Sequence, residues 1–218
     1  MVTKDNTYSE EAFEDLRLSA PAAVRNRDVI LPVLRDLLPK EGSCLEIASG
    51  TGEHAAHFAP ALAPLGWQAS EREGRLLQSI DAHLAVAREQ SPFEHRRALL
   101  LDLLAEESWD GVGCYDAIFS ANMTHIAHWD VTRQLFRLSE QCLKPGGLLL
   151  LYGPFFWKGR EAVESNLNFD LSLRQRNEDW GIRYFEDLND LARESSLTFR
   201  QERAMPANNF VLVYERQA

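Results

Sequence analysis

The chain has 218 residues, 45% of them apolar, enough to bury a full core in one domain, and its formal charge is −10. Its 33 acidic residues outnumber 23 scattered basic ones, which argues against a nucleic-acid partner, because phosphate binding draws on clustered lysine and arginine. No run approaches the roughly 20 apolar residues of a membrane span, and "MVTKDNTYSEEAFEDL" at the start lacks the apolar core of a signal peptide, so a cytoplasmic protein with no membrane partner is expected.

After the polar start, Ser19 stands before Pro21 as an N-terminal cap for a helix carrying Val24, Val29, Ile30, Val33, Leu34, Leu37 and Leu38, which Pro32 kinks or starts later. "SCLEIAS" reads as a short apolar strand, "GEHAAHFAPAL" as a helix strained near Pro60, and "WQASE" as a second strand. In "GRLLQSIDAHLAVARE", Leu76, Leu77, Ile80, Leu84 and Ala87 share one helical face. "HRRALLLDL" is a third strand. "YDAIFSANM" is a fourth, apolar on both faces as in a parallel sheet. Asp130 caps a helix over Val131 to Leu143, "KPGG" breaks it, and "LLLLYGP" is a fifth strand. A long polar and aromatic connection follows, then a helix near Asp187 to Ser195, the strand "LTFRQERA", a turn at "MPANN" and the strand "FVLVYE". This alternation implies an α/β fold, a parallel sheet with helices on both faces and an antiparallel pair at its edge. Cys44, Cys114 and Cys142, an odd set without CxxC spacing, read as small buried hydrophobes.

The loop after the first strand, "ASGTGEHA", poses the functional question. A phosphate-gripping loop places Lys and Ser or Thr after its last glycine, whereas here Glu53 follows Gly52 and would repel phosphate. A dinucleotide fold accepts GxGxxA, which Gly50, Gly52 and Ala55 satisfy loosely, but Glu46 stands where a pyrophosphate would approach. A carboxylate there suits a cofactor with a cationic, amine-bearing tail, and S-adenosylmethionine is one. Amides of Ala48, Ser49 and Gly50 to Gly52 can approach its methionine part because the glycines lack side chains. Glu71, with Arg72 beside it, ends the second strand where open α/β sheets place a ribose-binding acid. Asp102 and Leu103 end the third strand, suited to the adenine, and Asn122 and Met123 end the fourth. Glu71 and Asp102 can equally cap the helices that follow them.

These residues give the chain its resemblance. "LEIASGTG" resembles the first motif of class I S-adenosylmethionine-dependent methyltransferases, with Ala48 in place of the usual first glycine. "PAAVRN", "ASGTGEHAAHFA", "WQAS", "NMTHI", "LKPGG", "YGPF", "SNLNFDLSLRQRNEDWGIR" and "MPANN" resemble a methyltransferase-like family of unassigned substrate found in bacteria and animals, with Glu53 replacing the usual Gln and Glu71 the usual Asp. The resemblance implies a Rossmann-like, seven-stranded, mostly parallel sheet in the order 3-2-1-4-5-7-6. It also implies one methyltransferase-like domain over 1–218, with an N-terminal extension 1–40 and a lid-like connection 153–186.

Methyl transfer is an in-line displacement that needs an aligned nucleophile and excluded water, with a base where the acceptor must lose a proton. His125 is the candidate base, with His128 behind it; HxxH here and at His54 and His57 lacks a clear third ligand, so no metal is expected. Tyr152, Phe155, Phe156 and Trp157 can wall an acceptor pocket. Asn166, Phe169, Asp170, Leu173 and Arg174 share a mixed helical face suited to a polar acceptor, and Arg25 and Asn26 can reach the same mouth. The expected partner is a small-molecule acceptor. A non-catalytic binding module acting through a partner protein, or a nicotinamide-dependent oxidoreductase, are the other readings.

Overall fold

A computed structural model describes residues 16–91 and 96–217. His95 and the first fifteen residues of the extension 1–40 lie outside them.

In chain order the elements are α1 (Pro21–Leu37), β1 (Ser43–Ile47), α2 (Glu53–Leu62), β2 (Gly66–Glu71), α3 (Gly74–Gln90), β3 (Leu99–Leu100), β4 (Tyr115–Ala121), α4 (Trp129–Cys142), β5 (Leu143–Gly153), β6 (Phe155–Phe156), α5 (Glu164–Arg176), β7 (Arg183–Tyr184), α6 (Phe185–Glu194), β8 (Leu197–Met205) and β9 (Asn209–Arg216). The main sheet runs β3-β2-β1-β4-β5-β9-β8, and β6 pairs with β7 in a separate two-stranded sheet. This order differs from the expected 3-2-1-4-5-7-6 only because β6 and β7 take two numbers outside the sheet. β9 alone is reversed, antiparallel to both β5 and β8.

Side-chain alternation divides the core into two layers. Leu45, Ile47, Ile118, Leu149 and Leu151 face α4 and α6 on one side. Cys44, Ala117, Phe119, Leu150 and Tyr152 face α1, α2 and α3 on the other. Within the second layer the rings of Phe58, Trp67 and Phe119 lie 5.5 to 6.0 Å apart at steep angles, a packing worth roughly 0.5–1.5 kcal/mol per pair beyond burial.

Several local expectations give way to tertiary bonds. The cap of α1 is Ala20, not Ser19; its N–H donates to Glu53 Oε1 at 2.5 Å, so an acid of α2 anchors the entry. Pro32 sits inside the helix without delaying its start. β3 is two residues long. Gln68 Nε2 donates to Arg97 O upstream, and Asp102 Oδ1 accepts from Leu104 N downstream, which turns the chain out of the ladder. His128, not Asp130, caps α4, with Nδ1 accepting from Asp130 N, while Asp130 pairs with Arg133. "KPGG" lies inside β5 as a bulge, where pairing with β4 jumps from Tyr115↔Leu143 to Ala117↔Leu148. Asp116 fastens this end: it accepts from Ser43 N at 2.9 Å and pairs with Lys144 at 2.8 Å. Cys44 and Cys142 are buried, but Cys114 is exposed.

Candidate functional site

The carboxyl ends of β1, β2 and β4 meet at the turn after β1. Ala48, Gly50 and Gly52 all have positive φ, at 55°, 59° and 104°. Ser49 N donates to Ser70 O at 2.9 Å and Gly52 N to Ser49 O at 3.2 Å, fixing the turn on β2. The two glycines differ. A Cβ at Gly52 would lie 2.7 Å from Ile80 Cα, so Gly52 lets α3 pack under the turn; a Cβ at Gly50 would meet nothing within 4 Å. Gly50 therefore faces the open space a ligand needs.

Glu71 closes the turn from the other side. Its Oε2 accepts from Gly50 N at 3.0 Å and its Oε1 from Arg72 N at 2.8 Å. Burial raises its pKa against the pull of those two bonds. Arg72 itself is exposed. Glu46 is buried on the α2 side, where Oε2 accepts from Trp67 Nε1 at 3.0 Å and Oε1 lies 4.0 Å from His54 Nδ1. Burial pushes its pKa up to about 7, against the hydrogen bonds of Trp67 and Ser49. Such an acid binds a proton more tightly folded than unfolded, so this group makes the protein lose stability as pH rises from the ordinary carboxylate range to about 7. Glu46→Gln keeps an acceptor for Trp67 and is expected to flatten that slope, measurable by chemical denaturation at about pH 5 and about pH 8.

Other expected residues have structural partners. Glu53 holds Ala20 N and the Thr51 hydroxyl; burial raises its pKa, but these bonds bring it below the usual range. The same carboxylate thereby clamps the start of α1. Asp102 takes the turn-forming role described above, Leu103 is buried in the core, and Met123 is buried beside it. Asn122 has φ 63° and its N–H donates to Tyr152 O at 2.8 Å.

A cavity of about 870 Å³ opens at the carboxyl ends of β4 and β5. Arg25 and Asn26 of α1, Asn122, His125, Tyr152, and Asn166 and Phe169 of α5 line it, which brings together residues the sequence assigned to the acceptor with Asn122, assigned to the cofactor, and His125, the candidate base. Asp170 and Arg174 do not. They pair with each other at 2.8 Å, and Asp170 Oδ1 accepts from Ile182 N at 2.7 Å, fixing α5 to the segment before β7. Phe155 is buried and lines a separate space of about 120 Å³ with Phe156 and Trp157. Arg176, Ser165, Pro154 and the turn Pro206 to Asn209, which no sequence signal marks as site residues, also line the main cavity, and Ala207 and Asn208 in that turn have positive φ.

His125 is almost wholly buried, its ring 5.6 Å from Phe169 at 71°, and among the described residues its Nδ1 has no hydrogen-bond partner. Burial first, then Arg183 and Arg176, lower its pKa to about 4, so it is neutral at physiological pH. His54, likewise lowered to about 4 by burial, shares a 2.6 Å hydrogen bond from Nε2 to Asn26 Oδ1. Tyr152, which lines the same cavity as Asn26, has its pKa raised by burial. His57 lies 3.2 Å from Asp28, and His128 sits between Asp130 and Asp179.

A family profile described as protein of unknown function (DUF938) matches residues 17–216. The O-methyltransferase family protein from Burkholderia thailandensis superposes with a TM-score of 0.73, at 18% identity over 98% of this chain and 61% of its own. The O-methyltransferase family 2 protein from Planctomyces limnophilus, solved in complex with apigenin, gives 0.68 at 18% identity over 98% and 63%. CalO1, a methyltransferase in calicheamicin biosynthesis solved with SAH bound, gives 0.69 at 13% over 90% and 55%. The chain spans less than two thirds of the length of each of these proteins. The fold is the Rossmann-like fold of methyltransferases. No helix among the described residues is long and apolar enough to cross a membrane.

Proposed function

Because the chain belongs to this family of unknown function, DUF938, its activity has to be read from its site, and we propose that it transfers a methyl group from S-adenosylmethionine to a small polar acceptor. The observation that carries this reading is the open face of Gly50 beside the Glu71 carboxylate, at the edge where the cavity also opens. Ala48, Ser49, Gly50 and Gly52 would bring backbone close to the cofactor and Glu71 would accept from the ribose, while Glu46, buried against Trp67 and His54, would act on it from beneath the turn. Arg72, Asp102, Leu103, Asn122 and Met123 complete that wall in this reading. S-adenosylmethionine, when bound, supplies an electrophilic methyl group.

The acceptor would enter the cavity under α5, part of the connection 153–186, which acts as its lid. Phe169 and Tyr152 exclude water and align it, and neutral His125 accepts a hydrogen bond from it. With so low a pKa, His125 is a weak base, so it orients an acceptor better than it deprotonates one. The P. limnophilus protein was solved with apigenin and CalO1 belongs to calicheamicin biosynthesis, both consistent with a small-molecule acceptor.

Titration calorimetry with S-adenosylhomocysteine, followed by labelled-methyl transfer into fractionated metabolites, tests this. Binding together with a labelled product is expected. Absence of binding at millimolar concentration sinks the cofactor assignment, and binding without any labelled product leaves a binding module instead.

A further inference from the structure

Resting on that reading, we propose that the cavity accepts an organic anion, an apolar body bearing a carboxylate or phosphate group held by Arg25 and Arg176. The cavity's charge is the unusual feature. Although acids outnumber bases in the chain, 33 to 23, no Asp or Glu lines this cavity among the described residues, while two arginines do. Arg133, Arg137, Arg160, Arg174 and Arg203 each pair with a carboxylate at 2.6 to 2.8 Å. Arg25 and Arg176 form no such ion pair among the described residues. Arg176 donates Nε to Ser172 O at 3.3 Å and stacks 5.7 Å from the Trp180 ring, which orients its guanidinium and leaves its terminal nitrogens for a ligand.

The polar groups at the cavity wall suit an anion. His54 Nε2 donates to Asn26 Oδ1 at 2.6 Å, which leaves the Asn26 amide N–H groups to donate to a ligand, and the Tyr152 hydroxyl is a further donor among the residues that line the cavity. His125 is uncharged, with Arg176 and Arg183 adding to burial to keep it so, a sign of positive potential in the cavity. Val29, Ile126, Phe169 and Pro154 supply apolar surface for the body of the ligand. A cationic acceptor would find two like charges and no counter-charge.

The test uses the full chain with three probes of similar shape: phenylacetate, phenyl phosphate and the neutral phenylacetamide, followed by NMR at millimolar concentration. Either anion is expected to bind about tenfold more tightly than the amide, and which one binds better identifies the anionic group. Arg25→Gln with Arg176→Gln is expected to erase that preference while leaving amide binding unchanged. Binding of the anion should also move the His125 imidazole titration upward, because it supplies a counter-charge, and added salt should weaken binding. Equal binding of anions and amide, a preference that survives in the double variant, or no anion binding at all would overturn the proposal. S-adenosylhomocysteine binding, measured in parallel, separates this failure from failure of the methyltransferase reading.

Discussion

A Gly52→Val variant is expected to lose its fold before it loses a ligand. At φ 104° a branched residue is strained, and its Cβ would press on backbone, Ile80 Cα at 2.7 Å, which no side-chain rotation relieves. Overpacking of this kind costs roughly 1–3 kcal/mol and the left-handed backbone roughly 1–2 more, a large part of the stability of a domain this size. Thermal unfolding should therefore show a sharply lowered midpoint or an aggregated product. Gly50→Ala provides the contrast. Its φ of 59° lies in the ordinary left-handed region and its Cβ meets nothing, so roughly 1 kcal/mol of stability is lost while the methyl group enters the proposed cofactor space. A folded Gly50→Ala protein should bind S-adenosylhomocysteine at least tenfold more weakly; unchanged affinity would place the cofactor elsewhere.

Glu71→Ala is expected to weaken S-adenosylhomocysteine binding by roughly 1–3 kcal/mol, the range for charged hydrogen bonds. An ionised carboxylate offers about four lone-pair directions. Gly50 and Arg72 N–H groups take two of them, leaving as many as a ribose diol has hydroxyls. Glu71→Gln keeps an acceptor for one backbone group and should lose less affinity than alanine. Calorimetry on both variants, with their unfolding midpoints, separates ligand binding from the support Glu71 gives to the turn. Equal affinity in wild type and alanine variant would leave Glu71 a purely structural role.

The sheet was legible because alternation of apolar runs with helical faces needs no tertiary information, and "LLLLYG" or "YDAIFSA" has few other places to go. Local partners were less legible. Asp130 looks like a cap, but the helix starts one residue earlier and His128 caps it by accepting from the N–H of Asp130 itself. Glu53 beside Gly52 looked like an electrostatic veto on phosphate, yet its carboxylate is turned to the start of α1, 33 residues away in sequence. On the acceptor side, spacing along α5 selected Asp170 and Arg174, a pair that satisfies itself at i and i+4. Arg176 and Asn208 escaped because their place in the cavity comes from the docking of α5 against the β8–β9 turn, seen in the bond from Asn166 Nδ2 to Asn208 O. Only the doubled asparagines of "MPANN" hinted at left-handed backbone there.

Asp116, at the amino end of β4, ties Ser43 and Lys144 together, while Asn122 at the other end opens onto the cavity. Six residue steps along the chain separate them, about 20 Å, well beyond the roughly 7–10 Å over which substitutions influence one another's energetics. The Asp116 fastening and the acceptor-facing residues thus occupy opposite rims of one sheet. Descendants of this chain can exchange acceptor-facing residues and inherit an undiminished scaffold, so divergence in the chemistry they recognise need leave no trace in how they fold.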